Sequence, residues 1–322
     1  MKYLIMLISF ILFFNCSGIF KDKSDYYSLP FKEIKRAKEN PILSPSNLKW
    51  EAKDVFNPTS IKVNGKIALL YRAEDSTGIG KWNGTSRIGL AWSEDGIHFK
   101  KEDKPVLEPS EPYELPGGCE DPRVVKIKNT FYLTYTAYDG KTARLCLASS
   151  KDLHNWTKHG PLFPNLPWTK AGVIVPKKIK GKYYMYFGEH GVWLASSSDL
   201  LNWELVQEDH VLPLRPNMFD SNVTECGPTP IITEKGILVV YNGAKKTDSG
   251  RIYQTGWAYF SLDNPQKLLY RSDVPFFHPQ ELSEKTGQVA NVVFVEGLTF
   301  FKGRWFMYYG MADSHIGVAI SQ

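Results

Sequence analysis

Apolar and polar residues alternate in short runs along the chain, and each run is broken by a turn holding Gly or Asn. Ile61-Lys62-Val63-Asn64-Gly65-Lys66 leads into Leu69-Leu70-Tyr71-Arg72, then into Ile88-Gly89-Leu90-Ala91-Trp92-Ser93-Glu94-Asp95-Gly96. Val124-Val125-Lys126-Ile127 and Phe131-Tyr132-Leu133-Thr134-Tyr135 read as hairpin arms closed at Lys128-Asn129, followed by Leu145 to Trp156 with Ser150-Lys151-Asp152. A third unit runs from Lys180-Gly181 through Tyr183–Tyr186 to Ser197-Ser198-Asp199 and Trp203, and a fourth from Pro230-Ile231-Ile232 through Leu238–Tyr241 to Ser261-Leu262-Asp263. The fifth is Leu298–Tyr309, turning at Lys302-Gly303 and ending at Ile316–Ile320. No segment keeps a helical period, so alternation of strand and helix is excluded. Five repeating four-stranded units predict an all-β chain folded as a five-bladed β-propeller. A two-sheet sandwich is the rival, but it leaves the recurring Ser-x-Asp endings unexplained.

The 322 residues are 43% hydrophobic and 14% aromatic, enough for a large core and suited both to strands and to stacking on sugar faces. A net charge of +5 without long basic runs, and no nucleic-acid motif, argue against a nucleic-acid partner. Met1-Lys2 followed by the apolar run Tyr3–Phe14 reads as a secretory signal. Cys16, trailed by Ser17-Gly18, resembles a lipoprotein processing site, with Asn15 before it in place of the usual small residue. The organisation expected is a signal with a lipidated Cys16 over 1–16, a polar tether over 17–40 and one catalytic domain over 41–322. The expected location is outside the cytoplasm, tethered to a membrane through lipid alone. Three remaining cysteines make an odd count, against a disulfide framework, and no spacing suggests a metal site or other cofactor.

The densest chemistry is Gly117-Gly118-Cys119-Glu120-Asp121-Pro122-Arg123, two acids and an arginine where a Gly-rich turn enters an apolar strand. By itself this is as readily an Asp–Arg pair pinning a turn. In a propeller, however, inner strands converge, and polar residues far apart in sequence meet at their entrances.

At those entrances the chain resembles glycoside hydrolase family 130, the β-mannoside phosphorylases and β-1,2-mannosidases. The matching residues are Asn57-Pro58, Tyr71-Arg72-Ala73-Glu74-Asp75, Arg87–Ala91, Gly117–Arg123, Gly227-Pro228-Thr229-Pro230, Asn291–Phe294 and Tyr308–Asp313. The resemblance spans residues 40–322 and implies a five-bladed propeller that inverts the anomeric centre. It gives Asp121 the role of general acid, acting through a sugar hydroxyl. It also implies a mannose subsite formed by Asn57, Arg72, Arg87, Arg123, Lys170 and Asp313, with Glu120 binding substrate or orienting Arg123.

Departures from the family decide between its two reactions. Phosphorylases hold phosphate with an Arg and a His; this chain has Met185-Tyr186-Phe187-Gly188-Glu189-His190 and Tyr241-Asn242-Gly243 there, and Asn242 joins the substrate-binding set. Carboxylates stand nearby instead: Glu189, Glu225 and Glu296. Negative charge repels phosphate and can activate water. The resemblance therefore implies a hydrolase of β-1,2-linked mannosides, with Glu225, or next Glu296, as base. Glu296 has a structural alternative, an ion pair with Arg251 or Arg304. Other readings are a phosphorylase whose phosphate site uses Arg87, Lys170 and His190, a non-catalytic glycan-binding propeller, and another five-bladed glycosidase using Asp54. Trp82, Trp168 and Tyr253 are candidates for outer subsites.

Overall fold

The computed structural model describes residues 23–77 and 84–321; Cys16, the apolar leader before it and Trp82 lie outside the described residues. The chain is mostly β-strand, with two four-residue helices among the described residues, α1 (Lys23–Tyr26) and α2 (Leu282–Lys285).

After β1 (Ile34–Arg36), the chain runs through five antiparallel meanders. The first is β2 (Asp54–Val63), β3 (Lys66–Glu74), β4 (Ser86–Ser93) and β5 (Lys100–Lys101). The second is β6 (Gly118–Ile127), β7 (Thr130–Tyr138), β8 (Ala143–Ser150) and β9 (Trp156–Pro161), and the third β10 (Val173–Ile174), β11 (Tyr183–Phe187), β12 (Trp193–Ser197) and β13 (Glu204–Leu205). The fourth holds β14 (Val223–Cys226), β15 (Ile231–Thr233), β16 (Gly236–Thr247), β17 (Gly250–Phe260) and β18 (Leu268–Arg271). The fifth is β19 (Val293–Phe301), β20 (Arg304–Met311) and β21 (His315–Ser321), and β1 from the other end of the chain pairs with β21 to complete it. The first two meanders share one sheet through a single parallel bridge, Ser86 with Gly118. A Cβ on Gly118 would stand 2.1 Å from the Ser86 carbonyl oxygen, so only glycine permits that approach.

Turn chemistry explains why the strands start and stop where the sequence predicts. Val63 faces Lys66, Ile127 faces Thr130 and Phe301 faces Arg304, each across two residues. Their first turn residues, Asn64, Lys128 and Lys302, have φ of 49°, 54° and 47°. Gly65 and Gly303 follow at 78° and 82°, the all-positive pattern that matches strand twist. The Ser-x-Asp endings are turn locks between third and fourth strands. Ser93, Ser150 and Ser197 each bond their own Asp95, Asp152 or Asp199 at 2.9–3.0 Å and accept the N–H of Gly96, Leu153 or Leu200.

Five apolar clusters lie between successive meanders. One joins Ala68, Leu70 and Leu90 to Leu133 and Cys146, and another joins Val55, Ile67 and Tyr71 to Phe306, Tyr308 and Ile316, packing the fifth meander on the first. Cys119, Cys146 and Cys226 are buried free thiols. One device was not legible in sequence: in four of the meanders a middle-strand tyrosine donates to a buried carboxylate that also pairs with an outer cation. The sets are Tyr71, Glu51 and Lys101; Tyr135, Glu114 and Lys158; Tyr241, Asp220 and Arg271; Tyr309, Glu284 and Arg36. In the third meander Tyr186 donates to the Pro265 carbonyl instead.

The tether expected over 17–40 needs correction in its described part. Ile34–Arg36 is a strand, Trp257 Nε1 donates to the Tyr27 carbonyl, and Tyr27 stacks on Tyr270 at 5.7 Å. A three-residue edge strand and two tyrosines among polar residues carry too little periodicity to read as structure.

Candidate active site

The opening strands of three meanders break register at residues expected from the sequence to form the site. β2 carries one extra residue, Asn57, between Phe56 and Pro58 in its pairing with β3. β6 is irregular between Glu120 and Arg123, and β19 bulges at Glu296, between Val295 and Gly297. Asn57 and Asp121 take φ of 48° and 49° there, a region that Asn and Asp tolerate better than most residues. A bulge re-aims a side chain out of the alternation, and these three converge. β14 adds Glu225, and Lys170 arrives on the segment before β10, next to Ala171 at φ 55°.

Asp121 is 2% exposed. Its Oδ1 accepts from Asn57 Nδ2 at 2.7 Å and Arg72 Nη1 at 3.1 Å, and its Oδ2 faces Lys170 Nζ at 3.2 Å. Lys170 Nζ also lies 3.4 Å from Glu225 Oε1, itself 2% exposed. Asp121 Oδ2 and Glu225 Oε1 can thus be no farther apart than those two distances together. The separation in the free site is therefore at or below the lower end of the roughly 6.5–9.5 Å that separates acid and base in inverting glycosidases, and a water between them requires Lys170 to give way.

Arg123 ties the second meander to the fourth and fifth: Nε and Nη2 donate to the Cys226 carbonyl, and Nη1 donates to the Asp121 carbonyl. Its Nη2 also stands 2.7 Å from Glu296 Oε1 and 3.6 Å from Glu225 Oε1. The pairing of Glu296 is therefore with Arg123, correcting the expected alternatives Arg251 and Arg304. The ion pair lacks hydrogen-bond geometry, so among the described residues neither oxygen of the fully buried Glu296 has a hydrogen-bond partner. Glu120 bonds Arg72 Nη2 at 2.9 Å and so orients Arg72, not Arg123. Arg72 also reaches Glu74 at 2.7 Å and lies over the Phe56 ring at 4.7 Å. Glu74 was missed because nothing local in Ala73-Glu74-Asp75 marks it; only the ladder places it beside Arg72.

Two expected ligands are engaged elsewhere. Arg87 pairs with Asp75 at 2.8 Å. Asn242, fully buried, donates to the Val295 carbonyl and accepts from Val295 N and Thr255 Oγ1. It splices β16 to β19 by mimicking a backbone group, and both ends of its amide are occupied.

The charges sort the carboxylates. Burial raises the Asp121 pKa, but Lys170, Arg72 and Arg123 outweigh it and hold the group well below the usual carboxylate range. Burial prevails at Glu225, pushed up to about 7 despite Lys170 and Arg123, and carries Glu296 well above its ordinary value. Burial likewise lifts Glu120 and Asp313 to about 7. Asp121 is therefore the first of these groups to lose its proton, and Glu225, Glu120 and Asp313 lose theirs only near pH 7. Asp313, at φ 53° in the turn between β20 and β21, lines a cavity of about 520 Å³ with Asn222, Lys246, Arg251 and Tyr253. Among the described residues no group of three or more His, Cys, Asp or Glu is placed to hold a metal ion.

Paired carboxylates and guanidinium groups thus cluster, buried, where several strands converge, a donor and acceptor set chemically suited to many hydroxyls. The family model described as β-1,4-mannooligosaccharide phosphorylase matches residues 33–322, and the chain belongs to glycoside hydrolase family 130. It is 37% identical over 298 residues to a 1,2-β-oligomannan phosphorylase of Thermoanaerobacter sp. (strain X514), covering 89% of this chain and 97% of that protein. A glycosyl hydrolase from Bacteroides ovatus superposes with a TM-score of 0.86 at 39% identity, over 91% of this chain and 95% of that one. A further solved structure, from work on family 130 glycoside hydrolases that target β-1,2 mannosidic linkages in Candida mannan, gives 0.86 at 41% identity. It covers 91% of this chain and 95% of that one.

Proposed function

We propose that this chain is an inverting glycoside hydrolase that releases mannose from β-1,2-linked mannosides. Asp121 acts as general acid, and Glu225, with Glu296 behind it, activates water. The five meanders, packed in sequence with the fifth against the first, support reading the fold as a five-bladed propeller around this site. On the Cys16 motif we place the enzyme outside the cytoplasm on a lipid anchor.

One observation carries the choice of hydrolysis: the cations a phosphate would need already face carboxylates. Lys170 is shared by Asp121 and Glu225, Arg123 by Glu296 and Glu225, and Arg72 by Glu74, Glu120 and Asp121. Arg87 is held by Asp75, and the exposed His190 stands 3.8 Å from Glu189. An incoming dianion would have to take these cations from their carboxylates, whereas a sugar and a water bring no charge that competes for them.

The proton must reach Asp121 before it can serve as acid. A sugar hydroxyl inserted between Asp121 and Lys170 weakens the main charge holding Asp121 ionised, and the neighbouring protonated glutamates then share their proton with it. Glu225, left ionised, accepts a proton from the attacking water, whose oxygen bonds the anomeric carbon as the leaving oxygen departs.

The test is incubation with β-1,2-mannobiose with and without phosphate, following products and their anomers by NMR. Free α-mannose from the cleaved residue at a phosphate-independent rate is expected. Mannose 1-phosphate would establish the phosphorylase named among the relatives, and β-mannose as first product would overturn inversion.

A further inference from the structure

Glu225 lies between two unlike cavities. On one side Tyr253 and Asp313 belong to the polar cavity already described, and Tyr253 is close enough to Glu225 to feel its charge. On the other side Thr224 N donates to the Glu189 carbonyl, and Glu189 opens a cavity of about 440 Å³. Leu166, Pro167, Trp168, His190 and Trp193 complete its lining, so its walls are mostly apolar.

Trp168 is 39% exposed, and it is nonetheless held in place. Its Nε1–H donates to Glu189 Oε2 at 2.7 Å, and its ring meets Tyr138 edge-on at 6.3 Å. The next residue, Thr169, is buried and pinned to β8 on both sides: its N donates to the Ala143 carbonyl and its Oγ1 accepts from Leu145 N. Lys170 follows and grips Asp121 and Glu225. One three-residue stretch therefore couples an immobilised aromatic face to the reacting carboxylates. An exposed indole is not needed by any core, and a fixed one adds no ordering cost when a ligand arrives.

Resting on the mannoside reading, we propose that Trp168 is a stacking platform for a hexose unit of the substrate on the leaving-group side of the scissile bond. The polar cavity satisfies the hydroxyls of the mannose being released. The apolar C–H face of the next sugar along the chain packs on the indole, with Glu189 and His190 at the rim to take its hydroxyls. The continuity from Trp168 through Lys170 to Glu225 fixes the distance between the two units.

The experiment measures binding of β-1,2-mannotriose and of mannose by calorimetry in a Glu225→Gln background, so that nothing is turned over. Adding Trp168→Ala should lower the trisaccharide-to-mannose affinity ratio about tenfold, equivalent to ~1.4 kcal/mol. Adding Trp168→Phe, which keeps a ring but loses the bond to Glu189, should retain most of the ratio. An unchanged ratio in the alanine variant would overturn the platform alone. Equal loss in both variants would overturn stacking in favour of the hydrogen bond. No binding of either sugar to the background would bring down the mannoside reading itself, and the platform with it.

Discussion

Replacing Glu225 by glutamine should abolish turnover and at the same time stabilise the protein. Glu225 is almost fully buried, and burial moves its pKa from 4.5 to about 7. That difference corresponds to about 3 kcal/mol by which the folded state disfavours the ionised form. The sign follows from linkage. Below pH 4.5 the group is protonated folded or unfolded and costs nothing. As pH rises from 4.5 to about 7 the unfolded chain ionises first, and the native state loses stability until both forms are charged. Glutamine removes that loss, so Glu225→Gln should match wild type at pH 4 and unfold several degrees higher at pH 8. Glutamine accepts no proton from water, so kcat should fall by at least about 10²-fold. Wild-type kcat/KM should fall as pH rises through about 7, where free Glu225 loses the proton it passes to Asp121, a limb the variant lacks. The assays are melting temperature across pH 4–8 and initial rates on β-1,2-mannobiose. A variant less stable at pH 8 would show that the carboxylate is structural, and one keeping a tenth or more of wild-type kcat would remove it as base.

Asp121→Asn should lose at least about 99% of turnover but, unlike Glu225→Gln, should lower the melting temperature at neutral pH, because Lys170, Arg72 and Arg123 favour the charged carboxylate. An unchanged melting temperature would contradict the ionised Asp121 of the free site. Glu114 and Glu284 are held below their ordinary values: burial raises them, but Lys158 or Arg36 and two backbone N–H groups each prevail. Their stabilisation is complete above the unfolded carboxylate value and fades as pH falls through their lower folded values. Glu114→Gln should cost about 3 kcal/mol at pH 7, from a buried pair left with one partner, and progressively less in acid titrations of urea unfolding. A pH-independent cost would refute the pairing. Product analysis with and without phosphate tests the reaction class, and the Trp168 variants test the outer subsite.

Turns and strands were legible in the sequence because their causes are local. Asn64-Gly65 and Lys302-Gly303 carry the positive φ angles that close a hairpin, and Ser93-Glu94-Asp95 bonds its own turn. Asp121 and Arg123 were legible as chemistry because two acids and an arginine beside a proline are costly to bury without a purpose. The partners were another matter. Whether Arg72 or Arg123 meets Glu120, whether Glu296 pairs with Arg123 or Arg304, and whether Asn242 faces a sugar or splices two strands all depend on which strands of different meanders lie side by side. Bulges at Asn57, Asp121 and Glu296 override the alternation that sequence reasoning relies on, so the side chains that meet are those that break the pattern. The sequence by itself determined the strands, their turns and the residue types of the site. Only the tertiary structure decided which charges neutralise one another, because ion pairing depends on separations of a few ångströms between segments about a hundred residues apart.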